Sequence, residues 1–137
     1  VKTISLRTNG SSMRCTVLLG VTMSGGEKLA PLVVFKGVPD ARIQRELNNQ
    51  QFAYPPQMVH CCQAKAWVNE SVFALWIREV WKPWTISHDS QPSYLLMDEF
   101  QVHLMATSLN AIKDCGTAVD FIYGGYTYQN FKFWTLE

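Results

Sequence analysis

The chain has 137 residues, 47% of them hydrophobic, with five Trp, five Tyr and seven Phe, and its net charge is +1. A composition this apolar and aromatic excludes a disordered chain, and the length allows one domain built on a single core. No apolar run approaches the roughly 18–20 residues that span a bilayer, and the small net charge gives no polyanion partner by itself.

The charge is unevenly spread. Residues 1–50 carry seven Lys/Arg against three acids, and residues 51–137 carry five against eight. A basic first half suits phosphate contacts, and a solvated mixed surface explains it equally well. The chain opens on Val1 with no basic-then-apolar leader, which reads as an excerpt of a longer protein.

In chain order, Lys2 to Arg7 alternates and predicts a short strand, with a turn at Asn9-Gly10-Ser11-Ser12. From Arg14 to Met23 the period is two, which puts Cys15, Val17, Leu19, Val21 and Met23 on one face. Ser24-Gly25-Gly26-Glu27 supplies residues that tolerate positive φ, and Leu29 to Phe35 follows as a second strand. Pro31 has no N–H, so it belongs near that strand's start or on a free edge. Residues 14–36 therefore predict a β-hairpin.

Gly37 to Ala64 reads as a long surface excursion, interrupted by a helical turn at Arg42 to Leu47. The strongest local signal follows it. Asn69 is placed as a helix N-cap, with Val68 and Phe73 spaced as a hydrophobic staple. Phe73, Trp76, Ile77, Val80, Trp81 and Trp84 repeat at helical spacing, and Pro83 is expected to stop the helix. The tryptophan stripe reads as core rather than as a base-stacking platform. Ser87 to Pro92 is a polar turn.

Ser93 to Met97 has the length and composition of a buried strand, and Asp98 stands where such a strand leaves its sheet. A helix of about twelve residues is expected from His103, with Met105, Leu109 and Ile112 on one face and Gly116 as its C-terminal cap. Ala118 to Ile122 reads as a strand parallel to the one before Asp98. In open α/β sheets ligands bind outside the carboxyl ends of strands, so Asp98 is placed to face a metal or substrate. The simpler reading is that Asp98 caps a helix or holds a turn.

The four cysteines, Cys15, Cys61, Cys62 and Cys115, form no C-x-x-C pair and read as free thiols. His60-Cys61-Cys62 as a metal or nucleophile cluster lacks a second ligand pair at usable spacing.

Five segments in order carry a family resemblance over roughly residues 2–127. Arg14 to Gly20, through Gly25, resembles an "R-x-T-V-x-L-x … G" hairpin, and Lys28 to Gly37 resembles "K-L-x-P-x-x-I-F-K-G". Ala66 to Asn69 and the Phe73–Trp84 helix resemble "A-W-M … W-I … V-W-K-P-W". Leu95 to His103 resembles "L-L-x-D-x-F-x-x-H", and Phe121 to Thr127 resembles "F-I-P-G-G-Y-T". Together they are similar to the DDE-superfamily endonuclease domain of pogo-like, mariner-group transposases.

The resemblance implies an α/β, ribonuclease-H-like mixed sheet flanked by helices. It also implies DNA as the partner, a nuclear location, and no membrane or small-molecule substrate, with an oligomer compatible. Family members cut and rejoin DNA with three carboxylates that hold two divalent metals, Mg²⁺ or Mn²⁺, since hard oxygen ligands suit those ions. Asp98 falls on the second catalytic, metal-binding carboxylate. His103 falls on the histidine after it, in a supporting role toward Asp98 or a phosphate, or as a capping or packing residue. Glu99 falls where many members have Asn, beside the site or simply exposed.

The first carboxylate belongs to an upstream "D-E" strand, yet the acids before Asp98 are Glu27, Asp40, Glu46, Glu70, Glu79 and Asp89, and none forms that pair. The third belongs to "L-Q-x-L-D" after "G-G-Y-T", whereas Thr127 is followed by Tyr128-Gln129-Asn130-Phe131. Tyr123 also replaces a proline. Residues 1–137 are thus expected to form a single partial domain lacking the first, central strand, with a divergent tail at 128–137. As one carboxylate cannot hold two metals, the chain is expected not to cleave DNA. Its hairpin and its parallel pair are expected to lack their shared neighbour, leaving it marginally stable or prone to aggregate. Three functions fit: part of an active transposase, a non-catalytic remnant that binds DNA or protein, or a pseudogene product without function.

Overall fold

The computed structural model describes residues 2–8, 11–23, 26–38, 41–49, 55 and 57–123, with residues 2–8 and 11–13 described by their backbone alone. The sequence-predicted features at Asn9-Gly10, Ser24-Gly25, Gly124-Gly125 and the 128–137 tail lie outside them. The chain divides into two units, residues 1–84 and 85–137.

The first unit is a four-stranded mixed sheet in the order β1-β2-β3-β4. Strands β2 (Ser11–Leu18) and β3 (Leu32–Lys36) are antiparallel neighbours, as the hairpin reading predicts, and β1 (Lys2–Thr8), the strand its alternation predicts, pairs antiparallel with β2, a pairing the sequence did not indicate. Beyond the strands the hairpin continues as a narrow ribbon, with Val21 bridged to Lys28 and the Leu29 N–H donating to Gly20 O at 2.9 Å. A Cβ on Gly20 would lie 2.7 Å from Leu29 Cδ1, so a side chain there would push that methyl group aside. Pro31 sits immediately before β3, where its missing N–H costs no ladder bond.

The apolar row Cys15 to Met23 is not the buried face of β2. Thr16 and Leu18 are buried, while Leu19, Val21 and Met23 are exposed. Both faces of this strand carry apolar residues, and the pairing decides between them. Thr16 stands opposite Val34 and Leu18 opposite Leu32, and both of those are fully buried.

The excursion from Gly37 is also more ordered than expected. It holds the short helix α1 (Arg42–Asn48), as its pattern suggests, and then β4 (Val59–Gln63), parallel to β3. Val59-His60-Cys61-Cys62-Gln63 has no alternation to announce a strand. Its five residues are all half-buried, and main-chain pairing to β3 defines it instead.

After it comes a helix in three consecutive parts: α2 (Glu70–Trp76), a π-helical turn (Ile77–Trp81) and α3 (Lys82–Ser87). Asn69 caps it as predicted, its side-chain oxygen accepting from the Val72 N–H at 3.0 Å, and both Val68 and Phe73 are buried. The helix does not stop at Pro83. In the π turn the Lys82 N–H reaches back five residues to Ile77 O. That wider turn precedes the proline and relieves the usual clash of its ring with the preceding carbonyls.

The same turn orders the aromatics. Phe73 stacks on Trp76 with ring centroids 5.6 Å apart, Trp76 on Trp81 at 5.9 Å, and Trp81 on Trp84 at 5.0 Å. The middle step spans five residues, which an α-helix would rotate off this face and a π turn does not. Phe73, Trp76, Ile77, Val80 and Trp81 are buried, so the stripe is core, and the Trp84 indole N–H donates to Glu27 Oε2 at 2.9 Å beside the hairpin.

The second unit contains β5 (Ser93–Asp98), α4 (Ala106–Lys113) and β6 (Thr117–Ile122). β5 and β6 are parallel and in register, Ser93 with Thr117 through Asp98 with Ile122, as the strand–helix–strand pattern predicts. One face carries Leu95, Met97, Thr117, Val119 and Phe121, all buried or half-buried; Ile112 of α4 is fully buried. The other carries Tyr94, Leu96, Ala118 and Asp120, all exposed. The expectation of a strand buried on both faces is corrected here: only Met97 of β5 is buried.

The helix expected from His103 begins at Ala106. Residues 101–104 form tight turns, with the His103 N–H donating to Phe100 O and the Leu104 N–H to Gln101 O. Gly116 ends it as predicted, at φ +72 with its N–H on Lys113 O.

These strands make a mixed α/β fold compatible with a ribonuclease-H-like sheet lacking a strand. β1 covers one edge of the hairpin, pairing with seven of the eight residues of β2, but among the described strands it pairs with neither β5 nor β6. β5 and β6 form a separate two-stranded sheet.

Candidate functional site

Asp98 is the last residue of β5, at the carboxyl end of a parallel pair, where the sequence places it. Its position on the open face follows from strand alternation, as Tyr94, Leu96 and Asp98 point one way. The tight turns after β5 bring His103 back onto it. His103 Nδ1 lies 2.9 Å from Asp98 Oδ1 and 3.0 Å from the Asp98 carbonyl oxygen. A protonated Nδ1 donates to both acceptors at once. The two side chains differ in exposure: His103 is 8% exposed and Asp98 42%. The histidine is therefore a buried clamp, and the carboxylate it holds reaches solvent.

Phe100 adds an edge-on ring contact to His103, with centroids 5.7 Å apart, which spacing alone did not single out. Glu99 is exposed. Structure thus brings Asp98 and His103 together and gives Glu99 no comparable burial.

One carboxylate escaped sequence reasoning. Asp120 on β6 shares the open face with Asp98, and its Oδ2 accepts from the Tyr94 hydroxyl at 2.8 Å while Oδ1 accepts from the Phe121 N–H. The Tyr94 hydroxyl, and then that N–H, hold the Asp120 carboxyl below its usual range. Alternation from Asp98 through the parallel register was the signal that could have found it.

Among the described residues no group of three or more His, Cys, Asp or Glu side chains gathers to hold an ion. This set does not fit a pair of divalent cations, which need several oxygen ligands. The cysteine alternative is opposed by its chemistry. Burial, with Cys62 adjacent, pushes the Cys61 thiol up to about 11, the wrong direction for a nucleophile or a metal-binding thiolate.

Comparison with protein families decides the assignment. Residues 12–123 match the family model of the DDE superfamily endonuclease. The chain belongs to that family. The match covers β2 through β6, including Asp98 and His103, so the domain's transposase-like nuclease origin, its nucleic-acid partner and the family's general use of divalent metals all follow from it. No curated protein and no solved structure matches the chain. No helix among the described residues is long and apolar enough to cross a membrane.

Proposed function

We propose that the chain is a nuclease domain of the pogo-like transposase group, with Asp98 as the second of three metal-binding carboxylates, and that these 137 residues alone bind DNA without cutting it. One observation carries the reading. A solvent-reaching carboxylate stands at the carboxyl end of a parallel strand pair, held by a buried histidine five residues later.

Such a carboxylate supplies one hard oxygen ligand. His103 fixes its orientation, which keeps the ligand from swinging away from an ion whose other ligands are set elsewhere. Mg²⁺ or Mn²⁺ would supply the activated oxygen and neutralise the leaving one; Asp98 contributes position and charge. Glu99 is an exposed neighbour without a step of its own. A domain with this substrate works on chromosomal DNA, hence in the nucleus. The remnant reading, binding without chemistry, rests on Asp98 being the one family carboxylate that the sequence matches.

The test is a supercoiled-plasmid nicking assay with Mg²⁺ and with Mn²⁺, run beside a salt titration of duplex binding. The expected result is salt-dependent binding and no nicking above that of Asp98→Ala. Nicking that disappears in Asp98→Ala overturns the incompleteness and supports the role of Asp98. Absence of any DNA binding overturns the nucleic-acid reading itself.

A further inference from the structure

The tryptophans of the helical stripe are core, but Trp67 is not one of them. It is 60% exposed, on the connection between β4 and α2. The Lys65 ammonium sits over its ring, 5.1 Å from the centroid.

The loop that presents it is fixed from behind. Gln63 Oε1 accepts from the N–H of Lys65 at 2.6 Å and from that of Trp67 at 3.1 Å, while the Ala66 N–H donates to Gln63 O at 2.9 Å. Ala66 itself is 1% exposed and stands at φ +57, a conformation an alanine holds only where its surroundings over-determine it. The ring is therefore held outward by a strained, clamped turn, and burial would have been the cheaper place for so much apolar surface.

Charge points the same way. Lys36 is exposed and stands in register with Gln63, at the same carboxyl end of the parallel β3–β4 pair. Residues 1–84, which contain this end, carry ten Lys/Arg against five acids. An exposed indole with a lysine over its ring, and a second lysine at the same strand ends, matches the chemistry of an unpaired base and its phosphates, since every base offers a π face.

We propose that Trp67 and Lys65 form a stacking contact for an unpaired base of a nucleic-acid strand, with Lys36 placed toward its phosphates. This rests on the nucleic-acid reading above. It assigns to residues of the first unit, other than the Asp98–His103 pair, the task of holding strand that has left its duplex.

The experiment uses the whole 137-residue chain and fluorescence anisotropy with a labelled single-stranded oligonucleotide and the matching duplex, across a salt series. Trp67→Ala should weaken single-strand binding about tenfold and change duplex binding less than about twofold, while Trp67→Phe keeps most of the affinity. Lys36→Gln should lower the single-strand salt slope by about 0.7. Thermal melts by circular dichroism confirm that each variant folds as the parent does, and Trp67→Phe serves as the folded comparator. Single-strand binding unchanged in Trp67→Ala, with duplex binding intact, overturns this contact and leaves the domain's nucleic-acid role standing. No binding of either oligonucleotide by the parent chain overturns both.

Discussion

At the scale of single residues, the pair Asp98–His103 does two separable things. The buried imidazole fills space and donates to two acceptors on one residue, a side-chain oxygen and a main-chain oxygen. The partly exposed carboxylate adds charge that water already stabilises. Removing the ring should therefore cost more than removing the charge. His103→Ala is expected to destabilise the chain by about 2 kcal/mol, combining lost packing with an orphaned carbonyl. Asp98→Asn keeps an oxygen acceptor at Oδ1 and should cost less than about 1 kcal/mol. Denaturant unfolding of the two variants checks the order. The reverse order would mean that the ion pair, not the packed ring, holds the turn after β5. Asp98 was visible in sequence because an apolar run ends on it. The clamp was visible only as a spacing of five, since three tight turns and not a helix carry His103 back.

At the scale of elements, the helix from Asn69 shows what periodicity reads well and where it stops. The N-cap and the buried stripe were legible, because they are local: an acceptor side chain before the first turn and bulky residues at three- and four-residue steps. The π turn was not. It is visible in sequence only as Trp76 and Trp81, five apart, and Pro83 two residues beyond, a pair of irregularities that cancel. β4 was illegible for the opposite reason: nothing in Val59–Gln63 is strand-like until β3 lies beside it. The aromatic ladder carries a specific expectation. Trp76 Nε1 is buried without a hydrogen-bond partner among the described residues, so its N–H costs free energy and its ring contributes stacking. Trp76→Phe keeps a ring between Phe73 and Trp81 and removes the orphan donor, so it should change stability by less than about 1 kcal/mol. Trp76→Ala leaves a cavity and should cost about 3–5 kcal/mol. Equal losses in the two variants, read by urea midpoints, would show that the indole N–H has a partner after all.

At the scale of the whole molecule, charge and apolar surface are divided between the units. Residues 1–84 carry ten Lys/Arg against five acids, and residues 85–137 carry two against six. That division suits a domain whose basic part tracks a strand and whose acidic part supplies carboxylate, and it was countable from sequence before any fold was known. What counting could not reveal is the open face of β5–β6. The sequence of β5 is apolar enough to be buried twice over, and the pairing leaves Tyr94 and Leu96 at 61% and 52% exposed. β5 also pairs with β6 alone among the described strands, so one row of main-chain donors and acceptors is left beside two exposed apolar side chains. An open strand edge with such a face is a template for pairing with another chain. The isolated chain should therefore self-associate at micromolar concentration. A charge on that face should suppress association without loss of stability, because Leu96 contributes little burial to lose. Leu96→Lys is expected to keep the melting temperature within about 2 °C and to lower the light-scattering size across a concentration series. If Leu96→Lys associates as strongly as the parent, the sticky surface lies elsewhere. If it melts much lower, the face is covered in solution, and the strand is buried on both sides after all.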